Sequence, residues 1–507
     1  MHKLLLSLLS TLYLNGLELK IASYNVENLF DMQRNGTEYD DYIPQKHNWT
    51  RTIFQKKLLN ISEVICDVNA DIIGLQEIEN RNTVKKLQQA LRKVGCNYKY
   101  FAITNKKRSA TQVALLSKIP IVTTKEIEVN RKLHYRPILE SKFMIEGKAL
   151  YIYVNHWTSK HSPESRRVIS AKVLARRLKM LKESTDYILL GDFNSNYNEY
   201  LHLKKEHNDT HGLVGINHIL KTVMEGGQLV HKKEIQQSKR FLHYNLWLEL
   251  PSFQRWSHNF YGLKQGLDAI ILPKSMFDAK GINYLNNSFQ VFKPKYLFHK
   301  KGYIYRWQYR KKRHLGEGYS DHLPIVATFS TTPYRFDRGG FTMRYGTIAQ
   351  LYKADNLPTP LFLKDVKVIL KTKHHAIIKQ RKKGRAIFVY GAEGLEEGIA
   401  YDIVVEKVKN YHGLHEIVGF RIEHQYKKEN IEAYYFNEAL NFDNRALENE
   451  VVKSLEGLYN SNRLEIGEHT YPIYFKNRAS RPKDGSYLKL KKVQIGYYNG
   501  LQLVVWE

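Results

Sequence analysis

The sequence predicts an α/β body over residues 19–330, followed by small all-β units. Three observations carry this. Apolar runs of strand length alternate with stretches of helical spacing as far as Phe329. Several of those strands end on an acid, an amide or an imidazole. Beyond Pro333 the pattern changes to short runs of two-residue alternation rich in β-branched residues.

The stretch Asp186-Tyr187-Ile188-Leu189-Leu190-Gly191-Asp192-Phe193-Asn194-Ser195 sets the theme. Strand residues two apart point the same way, so Asp192 and Asn194 project together from the carboxyl end of a strand. Open α/β sheets place their chemistry there. A carboxylate beside a neutral amide suits a site that holds a water or metal together with an anionic oxygen. On its own, Gly-Asp-Phe-Asn is equally an ordinary turn.

In chain order, Met1-His2-Lys3 and the apolar run Leu4 to Leu14 read as a signal peptide ending near Asn15-Gly16, with residues 1–18 removed on export. The alternative is a buried first helix. The strand Leu19 to Val26 runs into Asn25-Val26-Glu27-Asn28. Phe54, Leu58, Ile61 and Ile65 predict a helix over Phe54 to Val68, and Asp71 to Asn80 is a strand delivering Glu77. Val84 to Val94 is a second helix. Strands follow at Tyr98 to Ile103, Gln112 to Ser117, Ile138 to Ile145 and Leu150 to Val154, the last meeting Asn155-His156. Ser165 to Leu181 is a basic helix leading to the Asp192 strand. Residues 196–265 read as polar and irregular, then Leu267-Asp268 opens a strand, and Ser320-Asp321-His322 precedes Ile325 to Phe329.

Composition bounds the partners. The formal net charge is +29, from 79 Lys+Arg against 50 Asp+Glu. That excess attracts polyanions, nucleic acid or an anionic membrane surface, unless the whole proteome is basic. No stretch after the amino terminus is apolar for long enough to span a bilayer. The segment Lys280 to Gly316 contains no acid, and its cations alternate with Tyr296, Phe298, Tyr303, Tyr305, Trp307 and Tyr309. Cations bind phosphates and aromatic rings offer stacking faces, so polyanion contact is expected there. Cys66 and Cys96 are the only cysteines. No zinc-type spacing exists, and we read them as unpaired thiols, because sequence supplies no Cα separation.

Taken in order, Ser23-Tyr24-Asn25-Val26-Glu27-Asn28-Leu29-Phe30, Leu75-Gln76-Glu77, Asn155-His156, Gly191-Asp192-Phe193-Asn194-Ser195, Leu267-Asp268 and Ser320-Asp321-His322 resemble the endonuclease/exonuclease/phosphatase superfamily, the fold of deoxyribonuclease I. The likeness covers about residues 19–330 and is nearest to exported bacterial nucleases that open on Tyr-Asn-Val-Glu-Asn-Leu-Phe. It implies a four-layer α/β/β/α sandwich. It also implies roles: Glu77 as principal ligand of a divalent cation, with Asn25 and Asp321 beside it, and Asp192 and Asn194 holding the attacking water and a phosphate oxygen. Asp268 and His322 form an acid–imidazole pair, and His156 meets phosphate or protonates the leaving oxygen; which histidine is acid and which is base stays open. Oxygen donors favour Mg²⁺, with Mn²⁺ and Ca²⁺ as alternatives.

The basic insertion ahead of Ser320 departs from relatives that act on small phosphates. Lys300, Lys301, Arg306, Arg310, Lys311, Lys312 and Arg313 are accordingly expected to bind nucleic acid. The expected function is an exported, metal-dependent nuclease, periplasmic or extracellular, acting on DNA with RNA as a second candidate. A lipid-headgroup phosphodiesterase related to sphingomyelinases and a non-catalytic DNA-binding surface protein are the alternatives.

Residues 331–357 read as a linker containing Arg338-Gly339-Gly340, and 358–437 as an OB-like β-barrel. An internal echo aligns Ala386-Ile387-Phe388 and Tyr411-His412-Gly413-Leu414 with Pro472-Ile473-Tyr474 and Tyr498-Asn499-Gly500-Leu501. It predicts a second, shorter OB-like unit over 438–507, against the alternative of one β domain with two similar hairpins.

Overall fold

The computed structural model describes residues 16–506 except 133, 240, 251, 261, 301, 333–343, 354–356, 358 and 359. The apolar leader, the Arg338-Gly339-Gly340 linker and Lys301 therefore lie outside the described residues. In chain order come β1 (Glu18–Leu29), α1 (Arg51–Val68), β2 (Ile72–Ile78), α2 (Arg81–Lys93), β3 (Tyr100–Ile103), β4 (Gln112–Ser117) and β5 (Thr123–Ile127). Then follow β6 (Ile138–Ile145), β7 (Lys148–His156), α3 (Glu164–Leu178), β8 (Asp186–Asp192) and β9 (Tyr244–Asn245). The last part of the body holds β10 (His258–Phe260), β11 (Leu263–Gln265), β12 (Asp268–Leu272), β13 (Asn283–Tyr284), β14 (Gln290–Val291), β15 (Tyr309–Arg310), β16 (Arg313–His314) and β17 (Ile325–Ser330).

These strands build two facing sheets. One is seven-stranded in the order β13-β17-β1-β2-β4-β3, with β14 on β17; the other is six-stranded in the order β5-β6-β7-β8-β12-β9. Helices α1 and α2 cover the outer face of the first sheet, where Phe54, Leu58, Ile61, Leu87 and Leu91 share a core with Tyr24, Ile73 and Leu116. Helix α3 covers the second sheet through Ala171, Leu174 and Leu178. This is the α/β/β/α sandwich.

Helices α1 and α2 begin where the sequence supplies a cap. The Thr50 hydroxyl accepts from Ile53 N–H and the Asn80 side chain from Thr83 N–H, and Asn69 ends α1 in the left-handed region. Residues 196–265 are irregular, as expected, yet they are not a solvated loop. Val214, Ile216, Leu220 and Trp247 are fully buried in the main core, so this segment is structural packing without periodicity.

Cys66 and Cys96 are bonded to each other, with Cα atoms 5.7 Å apart, which corrects the reading as free thiols. The turn at Gly95, with φ +85°, brings the chain back from α2 onto the end of α1. Sequence spacing alone could not supply that approach.

The carboxyl-terminal third forms two small closed barrels. The first contains β18 (Arg344–Tyr345), β19 (Leu361–Lys371), β20 (His375–Lys379), β21 (Ala386–Tyr390), β22 (Ile399–Tyr411) and β23 (Leu414–Lys428), and closes by pairing β19 with β22. The second contains β24 (Val451–Asn460), β25 (Arg463–Ile466), β26 (His469–Phe475), β27 (Ser486–Tyr497) and β28 (Leu501–Val505). The internal echo has a structural meaning. Tyr411-His412-Gly413-Leu414 turns β22 into β23, and Tyr498-Asn499-Gly500-Leu501 turns β27 into β28. In each barrel the last strand then pairs in parallel with the strand two before it in the chain, β23 with β21 and β28 with β26. The connectivity is OB-like in both.

The barrels share a core of Ile369, Ile377, Phe388, Ile431, Tyr435 and Val451. A buried ion pair, Lys379 Nζ to Glu450 Oε2 at 2.6 Å, crosses the same junction. The first barrel also docks on the α/β body. Glu406 accepts from Ser252 N–H at 2.5 Å and lies 3.8 Å from Arg255, and Glu423 Oε2 lies 2.5 Å from His231 Nε2. Among the described residues, no helix is long and apolar enough to cross a membrane.

Candidate active site

Cross-strand register assembles the centre. In the second sheet His156 is the direct partner of Asp192, and Asp192 the direct partner of Asp268, so the three stand in one row across β7, β8 and β12. The row is possible because β8 approaches β7 closely at Gly191. There φ is +131°, and a Cβ would fall 2.0 Å from the Asn155 carbonyl oxygen. In the first sheet the ladder breaks where Asn25 and Glu77 sit, with bulges between Asn25 and Leu29 and between Gln76 and Ile78. Glu77 takes φ +65°, and Asn194 on the facing strand end φ +48°. Such backbone conformations in non-glycine residues concentrate at functional sites, and here the bulge turns Glu77 towards the opposite sheet.

The two sheet ends meet at Asp192. Its Oδ2 accepts from Asn25 Nδ2 at 3.1 Å and lies 3.6 Å from His156 Nε2 and 3.9 Å from His322 Nε2. Its Oδ1 accepts from Asn194 N–H at 2.8 Å. Asn25 Nδ2 also donates to Glu77 Oε1 at 3.1 Å, and Asn28 N–H donates to Glu77 Oε2 at 2.9 Å. Asn25 thus bridges two carboxylates as a donor, while its Oδ1 accepts from Glu27 N–H at 3.1 Å. Glu77 is the exposed member, with 20% of its side chain open to the cleft against 3% for Asp192.

His322 Nδ1 lies 2.7 Å from Asp268 Oδ2, which also accepts from the Ser257 hydroxyl at 2.5 Å. His322 N–H donates to Ser320 Oγ, and Ser320 Oγ donates to the Asn25 carbonyl at 2.6 Å, tying the last motif to β1. Asp321 lines the cleft, 3.5 Å from Arg306 and 3.9 Å from His258 Nε2. Asn194 Nδ2 donates to the Trp157 carbonyl at 3.1 Å.

Burial sets the electrostatics. Loss of water lifts the Asp192 carboxyl to about 7, against the opposing charge of His322. Burial depresses His156 well below the usual imidazole range, and the nearby Arg136 and His322 add to it. For His322 burial works the same way but is outweighed by Asp268, Asp192 and Asp321, which raise it well above that range. Asp321 is depressed, because His322 and Arg306 overcome its burial.

Ligand atoms of Asp192, Asp268 and His322 lie within 4.8 Å of one another, as do those of His258, Asp321 and His322. With Glu77 alongside, the donor set is dominated by carboxylate oxygen and concentrates negative charge, which fits a hard divalent cation. When bound, such an ion supplies positive charge to a phosphate oxygen.

Several residues of the site were not legible in the sequence. The His258 ring lies 4.7 Å from that of His322, tilted at 45°, and the two residues bridge through the backbone; burial and His322 push His258 down to about 4. Glu27 is buried, accepts from Arg306 and from Trp307 N–H, and is lifted to about 7 by burial and then by Asp321. Lys57 is buried under it, donating to the Glu27 carbonyl at 2.7 Å. His258 and Lys57 lie outside every quoted motif, and Glu27 lies inside one without having been given a role.

The acid-free segment divides. Arg306 lines the cleft and ties Glu27 to Asp321. Lys300 and the Arg310–Arg313 hairpin are not among the cleft-lining residues. The hairpin, with Lys311 and Lys312 at its turn, packs beside the 40s loop, where His47 Nδ1 meets the Lys312 carbonyl at 2.9 Å. Most of the aromatic rings are structural: Trp307 is buried, Tyr309 donates to Asp41 and Tyr296 to Asp67. The expectation of a row of open stacking faces there does not hold, because composition cannot distinguish a ring that packs from one that waits.

The cleft itself measures about 1070 Å³ and is walled on two sides. The catalytic body contributes Glu77, Arg136, His156, Lys160, Asp192 and His322; the first barrel contributes Tyr390, Gly391, Glu393 and Val418 to Ile422.

Paired sheets that bring carboxylates and an acid–imidazole pair together at one end are the architecture of phosphoester hydrolases. The chain belongs to the Endonuclease/Exonuclease/phosphatase family, whose profile matches residues 20–330. Similar solved structures include TDP2 of D. rerio complexed with a single-strand DNA product, at 16% identity, TM-score 0.39, covering 62% of this chain and 98% of that one. An endonuclease/exonuclease/phosphatase family protein of Bacteroides thetaiotaomicron is similar at 16% identity and TM-score 0.38, covering 62% and 98%. A mannosyl-6-phosphatase of the same organism is similar at 16% identity and TM-score 0.38, covering 61% and 99%. No curated protein sequence matches.

Proposed function

We propose that the protein is an exported, divalent-metal-dependent nuclease, with Mg²⁺ as the expected ion, that hydrolyses phosphodiester bonds of DNA with little sequence preference. The carrying observation is the convergence on Asp192 Oδ2 of Asn25, His156 and His322 inside a cleft also lined by Arg136, Lys160, Lys264 and Arg306. A phosphodiester is anionic and repels hydroxide, and its leaving alkoxide needs a proton. Asp192 and Asn194 hold water and a phosphate oxygen. His322, fixed through Nδ1 by Asp268, moves a proton at Nε2. Glu77 is the principal metal ligand, Asp321 completes the metal region, and His156 faces the phosphate.

A long substrate is favoured by the size of the cleft and by the net charge of +29. Export is supported by the Cys66–Cys96 bond, since such pairs persist in oxidising compartments. The test is incubation of the purified protein with plasmid and Mg²⁺, with and without chelator. Chelator-sensitive nicking is expected. Intact plasmid and RNA alongside release of phosphocholine from sphingomyelin would move the activity to lipid headgroups.

A further inference from the structure

We propose that the two barrels carry a binding track for single-stranded nucleic acid that runs out of the catalytic cleft over Tyr390, Trp506 and Tyr474. The inference rests on the nuclease reading and specifies the form of polynucleotide that the cleft receives.

The track begins at Tyr390, which lines the cleft and is 56% exposed. Its ring lies 4.9 Å from His375, and His375 lies 5.7 Å from Trp506 on the second barrel. His375 Nδ1 is buried and has no hydrogen-bond partner. Trp506 is seated by stacking on Phe388 at 5.9 Å and 15°, and by donating from Nε1 to Gln494 Oε1 at 2.8 Å. Lys476 Nζ then lies 5.0 Å from the Trp506 ring and 5.5 Å from Tyr474, which is 44% exposed. Aromatic rings with cations between them, laid along a surface, bind successive unpaired bases and their phosphates.

Two further observations favour single strands. Bases in a duplex have their faces covered by their neighbours, so exposed protein rings gain nothing from them. The platform is also rigid, because the shared core of the barrels and the Lys379–Glu450 pair hold Tyr390 and Tyr474 in one body. The acids nearby are engaged: Glu393 pairs with His374 at 3.5 Å, and Glu416 is buried.

The test is fluorescence anisotropy of the full chain in chelator, titrated with labelled oligothymidylate and with a hairpin duplex. Tyr390→Ser and Tyr474→Ser should each weaken binding of the single strand by roughly five- to a hundredfold and leave the duplex unchanged. Lys476→Ser should lower the single-strand salt slope by about 0.7. Tyr474 and Lys476 are on the surface, so these variants keep the fold even where Trp506→Ala loses it. Unchanged single-strand affinity, or equal losses on both probes, overturns the track. Plasmid nicking is measured alongside. Nicking without this binding pattern removes the track alone; the pattern without nicking removes the nuclease reading and leaves the track.

Discussion

His322 Nδ1 and Asp268 Oδ2 stand 2.7 Å apart, a contact that fixes which ring nitrogen of His322 is left for chemistry. The carboxylate selects the tautomer and orients the ring. His322→Ala should lower kcat on a small chromogenic diester by about a hundred- to ten-thousandfold, and should lower thermal stability as well, because it leaves the buried Asp268 carboxylate without its partner. Asp268→Asn should lower kcat in the same direction and leave KM nearly unchanged, since it misorients the ring without touching substrate. Wild-type turnover in either variant contradicts the assigned pair.

Glu77 has a different role and a different signature. Glu77→Gln should raise the metal concentration needed for half-maximal activity by tenfold or more, on the order of the loss that follows damage around a metal site. Rate should recover partly at high metal. A variant whose metal titration superimposes on the wild type would exclude Glu77 as a ligand.

Arg306 and the Arg310–Arg313 hairpin should behave differently, although both lie in one basic segment. Arg306 holds Glu27 and Asp321, so Arg306→Ala should depress cleavage of the small diester and of DNA together. Replacing Arg310, Lys311, Lys312 and Arg313 with Ser should spare the small diester and lower only the salt dependence of DNA binding, by about 0.9 per lost phosphate contact. Parallel losses on both substrates in the hairpin variant would show that it supports the site's structure.

The docking of the first barrel should be acid-sensitive. Burial raises the Glu423 carboxyl, but His231 and Arg421 prevail and hold it at about 2. Its folded value lies below its unfolded one, so its contribution is complete above about pH 4.5 and is lost as pH falls towards 2. Small-angle scattering should show the barrels separating from the body over that window. Glu423→Gln should loosen them at neutral pH, at a cost of about 3 kcal/mol. A wild-type scattering profile unchanged as pH falls from 7 to 2, or a Glu423→Gln profile at neutral pH that matches the wild type, would place the docking energy elsewhere.

What the sequence reveals here depends on how each residue reaches its place. His156, Asp192 and Asp268 lie at strand ends, where alternation fixes which way they point, so their convergence is readable from order and period, whereas Glu77 owes its direction to a bulge and a φ of +65° that alternation does not predict. Lys57 arrives from a helix and His258 from a hairpin, and only tertiary packing brings them in. Cys66 and Cys96 meet through the turn at Gly95. The last strand of the first barrel, Leu414–Lys428, hides among charges, because it serves two neighbours and alternates poorly. In the acid-free segment the same rings could pack or stack, and composition is silent between the two.

The row His156–Asp192–Asp268 ties reactivity to main-chain hydrogen bonding and not to any loop. A slip of one residue in β8 would turn Asp192 to the far side of its sheet and leave no partial site behind. Errors in assembly therefore yield inert molecules instead of enzymes with altered specificity. Conversely, the barrel wall at Tyr390 can change sequence without moving that row. Selection for new substrates can thus act on the walls of the cleft while the reaction stays constant.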